Sequence, residues 1–141
     1  MIKFFPAFIF LITFFIGLAS TQAQETDLSR VIDMHVHAGP DSRPRAMNDF
    51  EAARMARDAG LRAIVLKNHF TMTADRAALA MAQVEGLEIF GGVALNRAVG
   101  GINPEAVRQL VAFDGDRGKV VWLPTLTVSY THLTLPTNRE V

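Results

Sequence analysis

From Val31 onward the chain alternates short apolar runs with amphipathic stretches, separated by glycine and proline. Val31 to Val36 alternates apolar and polar positions and stops before Gly39-Pro40, the pattern of a strand and a turn. A polar loop follows from Ala38 to Met47. Asn48 or Asp49 can cap a helix running to Ala59, with Phe50, Ala53 and Ala56 as its apolar stripe and Met55 beside it. Gly60 ends that helix. Arg62 to Lys67 is a nearly continuous apolar run, as in a strand buried on both faces. An Ala-rich helix is expected over Thr73 to Val84, stopped by Gly86, and a third strand over Leu87 to Leu95. Asn103 and Pro104 open a helix to about Phe113, and Lys119 to Leu123 forms a fourth strand. The βαβαβαβ order implies an α/β protein with a parallel sheet. A closed eight-stranded barrel needs about 250 residues, so four βα units are the N-terminal half of a (β/α)8 TIM-like barrel, truncated. An open doubly wound sheet is the alternative. No Gly-x-Gly-x-x-Gly follows the first strand, which argues against a dinucleotide-binding version.

The two ends of the chain change this picture. Residues 1–23 have the layout of a secretory signal peptide: Lys3, then an apolar Phe4 to Ala19, then small and polar residues to Ala23. The apolar stretch is short for the ~20 residues that span a bilayer. A periplasmic or secreted protein without a stable membrane span is therefore expected, and an uncleaved anchor is the alternative. The chain has no cysteine, hence no disulfide framework. Its 14 basic and 14 acidic residues are interspersed, so nothing points to nucleic acid. A small-molecule substrate is the expected partner, and oligomeric state is left open. Residues 128–137, from Val128 to Thr137, resemble one reading frame of a transposase adapter used to prepare sequencing libraries. On that reading 128–141 is a non-native tail, His132 is no ligand, and 24–127 is the genuine half-barrel. The chain as it stands is then expected to be inactive.

The candidate chemistry sits at strand ends. In a strand, side chains two apart share a face, so Asp33, His35 and His37 face the same way. Two neutral imidazoles at that spacing can hold one divalent metal ion, zinc being the expected one. Asp33 would orient an imidazole from behind. Lys67, Asn68 and His69 end the second strand, and in a parallel barrel all C-terminal strand ends open on one rim. His69 is thus a catalytic candidate, as a third ligand or a general acid/base. Lys67 is another, bridging two metals if carbamylated or binding a substrate carboxylate. Asn96 and Arg97 end the third strand as candidate substrate-binding residues. Arg43 and Arg45 can clamp an acidic substrate or simply be solvated. Gly100 to Pro104 reads as a capped helix start. Phe90 and Trp122 read as core.

Ile32-Asp33-Met34-His35-Val36-His37 is similar to the opening of the amidohydrolase superfamily. Leu66 to Phe70, Gly91 to Arg97, Gly100 to Pro104 and Val121 to Thr125 resemble an uncharacterised amidohydrolase-like subgroup. The resemblance spans Ile32 to Thr125. It implies a metal-dependent hydrolase on a distorted (β/α)8 barrel, in which a metal-activated water attacks an amide, ester or lactone. In that superfamily further ligands come from a Lys or Glu on strand four, His on strands five and six, and Asp on strand eight. Here strand four ends Leu123-Pro124-Thr125 and later strands are absent. A metal-dependent phosphoesterase on a similar barrel, or a non-catalytic binding protein, are the alternatives.

Overall fold

A computed structural model describes residues 26–126. The signal segment 1–23 and the tail 128–141 expected above lie outside the described residues. Within them the chain runs β1 (Ile32–Val36), α1 (Asp49–Asp58), β2 (Ala63–Leu66), α2 (Ala74–Gln83), β3 (Glu88–Ala94), a 3-10 turn (Arg97–Val99), α3 (Pro104–Ala112) and β4 (Gly118–Trp122). Every expected strand and helix is present. Among the described residues no helix is long and apolar enough to cross a membrane.

The local chemistry explains the boundaries. Asn48 caps α1 through its side chain, which accepts from the Glu51 N–H, and Glu51 returns a bond to the Asn48 N–H. Asn103 caps α3 by accepting from the Glu105 N–H, with Pro104 at the first helical position. Gly60 and Gly86 follow their helices with φ of +80° and +83°, a conformation that costs glycine little.

The four strands form one parallel sheet in the order β1-β2-β3-β4. Each strand pairs with the next in sequence, without the reversal of order that defines a doubly wound sheet. One face of the sheet carries the helices. Val36, Ile64, Leu66 and Ile89 pack with Ala53, Ala77 and Ala80 of α1 and α2. Val93 and Leu95 pack with Ala106 and Leu110 of α3. The alternation of a strand then sends Asp33 and His35, Val65 and Lys67, and Phe90, Gly92 and Asn96 to the opposite face.

One expectation fails in α1. Phe50 and Met55 were assigned to or beside its apolar stripe, yet they are 37% and 60% exposed. The buried residues are Asp49, Ala52 and Ala53. Close approach of α1 needs small side chains there, and Asp49 is turned inward by Arg76 of α2. At the α2–sheet contact, Thr73 bonds both neighbouring strands: its hydroxyl donates to the Leu66 carbonyl at 2.6 Å and accepts the Gly92 N–H at 2.9 Å. A Cβ on Gly91 would overlap the Thr73 carbonyl, so the glycine is what lets α2 start against β3.

Candidate metal centre

The C-terminal ends of β1, β2 and β4 meet on the helix-free face. His35 ends the exposed part of β1 and His37 follows it directly. Their Nε2 atoms are 3.1 Å apart. Two imidazoles on one ion at about 2.0–2.1 Å hold their nitrogens roughly 2.9–3.4 Å apart, octahedral to tetrahedral. The pair therefore has the separation that one ion requires. The ring of His69, from the loop after β2, is 4.7 Å from that of His37. Trp122, at the end of β4, lies 6.4 Å from His35. The three histidines expected on one rim are thus brought together. Among the described residues, however, no group of three or more His, Cys, Asp or Glu is placed to hold a metal. The structure offers a pair of nitrogen ligands and a third imidazole beside them.

All three imidazoles are held toward the neutral form, the form that binds metal. The His37 pKa falls to about 4, first through burial and then through the charges of Arg45 and its neighbours. His35 is lowered by partial desolvation and by Lys67, against an opposing pull from Asp33. His69 is lowered by burial, then by Lys67, Arg45 and Arg43.

Hydrogen bonds fix the proton positions. Arg45 Nη2 lies 3.3 Å from His37 Nδ1, and a guanidinium can only donate. His37 Nδ1 therefore accepts, its proton sits on Nε2, and that proton points at His35 Nε2. Binding an ion through both Nε2 atoms requires the proton to move to Nδ1 and Arg45 to swing aside. Arg45 has another anchor, because its Nε donates to Asp41 Oδ2 at 2.6 Å. The donor set fits a divalent ion, with Arg45 as a competitor for one ring. Arg45 is thus engaged by Asp41 and His37, whereas Arg43 stacks over Phe70, 5.8 Å from its centroid. A cleft of about 440 Å³ opens between the loops that carry Asp41 and Phe70 and the start of α2, and none of the three histidines lines it.

Two placements differ from expectation. Asp33 was expected behind an imidazole. Its Oδ1 instead accepts the backbone N–H of His35 at 2.9 Å, so it shapes the strand end rather than the ring. Asn96 was expected to meet substrate. It is 2% exposed, and its carboxamide is fully occupied. Nδ2 donates to the His69 carbonyl and to Thr125 Oγ1, while Oδ1 accepts the N–H groups of Thr125 and Leu126. Those four bonds use its whole capacity. Thr125 in turn bonds His69 Nδ1 at 2.9 Å. Asn96 and Thr125 therefore tie the ends of β2, β3 and β4 together and set the His69 ring. Nothing in the sequence singled out Thr125, whose partner lies 56 residues away. Arg97 is exposed at the start of the 3-10 turn.

Lys67 is in an unusual position. It is only 3% exposed, its Nζ lies 4.9 Å from the Trp122 centroid, and no carboxylate pairs with it among the described residues. Burial alone lowers its pKa. A cation–π contact with Trp122 offsets part of that desolvation and leaves the ammonium without a counter-charge.

A parallel βα sheet with a histidine rim defines the class of molecule. The chain belongs to a family of unknown function, DUF6282, which it matches over residues 30–139. No curated protein and no solved structure matches it.

Proposed function

We propose that this chain carries the metal-binding rim of a metal-dependent hydrolase acting on an amide, ester or lactone bond. The observation behind this reading is the His35–His37 pair, with Nε2 atoms 3.1 Å apart and both rings held neutral at a strand end. A divalent ion, zinc by preference, would supply Lewis acidity there and lower the pKa of a water on it. His35 and His37 hold the ion. His69, set by Thr125 and Asn96, accepts or returns a proton at its rim-facing nitrogen. Its lowered pKa leaves it free to accept.

On this reading the four units are the first half of a closed barrel. Ile32 and Met34 on β1 with Val31 just before it, and Val121 on β4 with Leu123 just after it, are exposed apolar residues at the two edges of the sheet. Closing strands would cover them and supply further ligands. Genomic sequence that runs unchanged through the Thr127–Val128 junction would remove the adapter explanation of the tail. The central test is metal content in the full-length protein. Replacing His35 and His37 together by Ala is expected to remove metal and hydrolysis in parallel. Unchanged metal stoichiometry in that variant would show that the centre lies elsewhere.

A further inference from the structure

Lys67 was expected either to bridge two metals or to bind a substrate carboxylate, and the roles given above to His35, His37 and His69 do not use it. Its chain is packed away along the inner face of β2, yet its ammonium is not sealed. Every side-chain nitrogen or oxygen closed off from solvent in the described residues has a hydrogen-bond partner, and the Lys67 ammonium has none. Its tip therefore keeps some contact with solvent. The other cations nearby are differently placed: Arg45 is neutralised by Asp41, and Arg43 lies over Phe70. Asp33 is turned to the His35 N–H and leaves Lys67 alone.

We propose that Lys67 receives a carboxylate carried by the substrate, with the Trp122 face against the substrate body and the reacting bond toward His35 and His37. The Lys67 ammonium carries one positive charge, which one negative charge balances. A carboxylate supplies that charge, whereas a phosphate monoester near pH 7 brings up to two and would leave an excess in a poorly solvated site. A lone ammonium is also a point charge, without the fork that reads a phosphate through two bonds. The indole beside Lys67 offers a flat apolar surface for whatever is attached to the carboxylate.

The inference rests on the hydrolase reading in calling the ligand a substrate, but the anion site itself needs no metal. Calorimetric titration of the full-length protein with propionate, propionamide and inorganic phosphate separates the two. Propionate is expected to bind saturably with or without a chelator, and propionamide at least about tenfold more weakly, the loss of a charge-assisted bond. Lys67→Met should abolish propionate binding and Lys67→Arg should keep it. If the Met variant does not fold, the Arg variant and the amide comparison decide. Equal binding of propionamide, or propionate binding retained in folded Lys67→Met, overturns the proposal. Tighter, Lys67-dependent binding of phosphate overturns the choice of carboxylate. Carboxylate binding that survives while the His35→Ala/His37→Ala variant keeps its metal would sink the metal assignment and leave the Lys67 site standing.

Discussion

Arg76 is the side chain whose loss should cost the fold most per atom removed. Its Nε and Nη2 each donate to the Asp49 carboxylate at 2.7 Å, and Nη2 also donates to the Ala38 carbonyl at 3.0 Å. The side chains are 13% and 7% exposed. One guanidinium thus joins α2, the first turn of α1 and the residue directly after His37. In Arg76→Met the methionine fills much of the same volume but donates nothing. The variant leaves a buried carboxylate unpaired, a loss of about 3–5 kcal/mol. Asp49 sits in the first turn of α1, where the helix N-terminus returns about 0.3–1 kcal/mol. The Ala38 carbonyl also loses its donor, about 1–2 kcal/mol, so the net cost is about 4–5 kcal/mol. The double variant Asp49→Ala/Arg76→Met removes the stranded charge. It should lose only about 1–2 kcal/mol, for the Ala38 carbonyl left without a donor. The assay is urea unfolding of the full-length protein, with the slope checked for a constant transition. A single variant within 1 kcal/mol of the unaltered protein, or a double variant less stable than the single, would refute this account of the pair. The same series should also show weaker metal retention in Arg76→Met, because Ala38 anchors the backbone that presents His37.

Three further outcomes follow from the site and its supports. Gly91→Ala should prevent stable folding, since the added methyl meets the Thr73 carbonyl rather than a movable side chain; soluble expression with an unchanged melting temperature would contradict the close approach of α2 to β3. Acidification should destabilise the fold through His37. Its folded pKa of about 4 lies below its usual value near 6.5, so the unfolded chain binds more protons and stability falls as pH drops from 6.5 toward 4. Because His37 is only half-buried the loss is about 1 kcal/mol, and the gap between urea midpoints at pH 7.5 and 5 should narrow in His37→Gln, the lowered His35 and His69 keeping part of it. Arg45→Gln should raise zinc affinity severalfold by freeing His37 Nδ1 to carry the proton, read by competition with a chromophoric chelator; weaker zinc binding would mean that Arg45 assists the ring rather than competes for it.

What the sequence disclosed and what it hid divide along one physical line. Interactions between near neighbours were legible. Gly60, Gly86, Asn48 with Glu51, and Asn103 with Pro104 mark their helix ends by local geometry, and all four strands follow from apolar runs between them. The two-residue alternation of β1 likewise put His35 and His37 on one face, where their Nε2 atoms converge. Contacts set by tertiary packing were not legible. An apolarity stripe ranks Phe50 and Met55 above Ala52, yet the narrow gap under α1 admits the alanine and leaves the larger side chains outside. Asn96 reads as a polar residue at a strand end, where a substrate contact is a reasonable expectation. Only the fold shows that Thr125, Leu126 and His69 consume its four hydrogen bonds.

That contrast bears on how the site works. The rim holds two kinds of polar residue. Asn96, Thr125, Asp49 and Arg76 have their hydrogen bonds filled by other parts of the chain, and they fix backbone positions. His35, His37, His69 and Lys67 are held close together with capacity left over: neutral nitrogens on one side and an ammonium without a counter-ion on the other. Satisfied polar groups make a scaffold rigid, and groups with capacity left over are the ones a ligand can engage. A cation suits the first set and an anion the second. The distance from the imidazole pair to the Trp122 face is short enough, with 6.4 Å between the His35 and Trp122 rings, for one small molecule to touch both. On the proposed reading, a metal ion on the imidazoles and a substrate carboxylate on Lys67 would engage the two together, and an uncharged amide or ester of the same shape would give up the contact with Lys67.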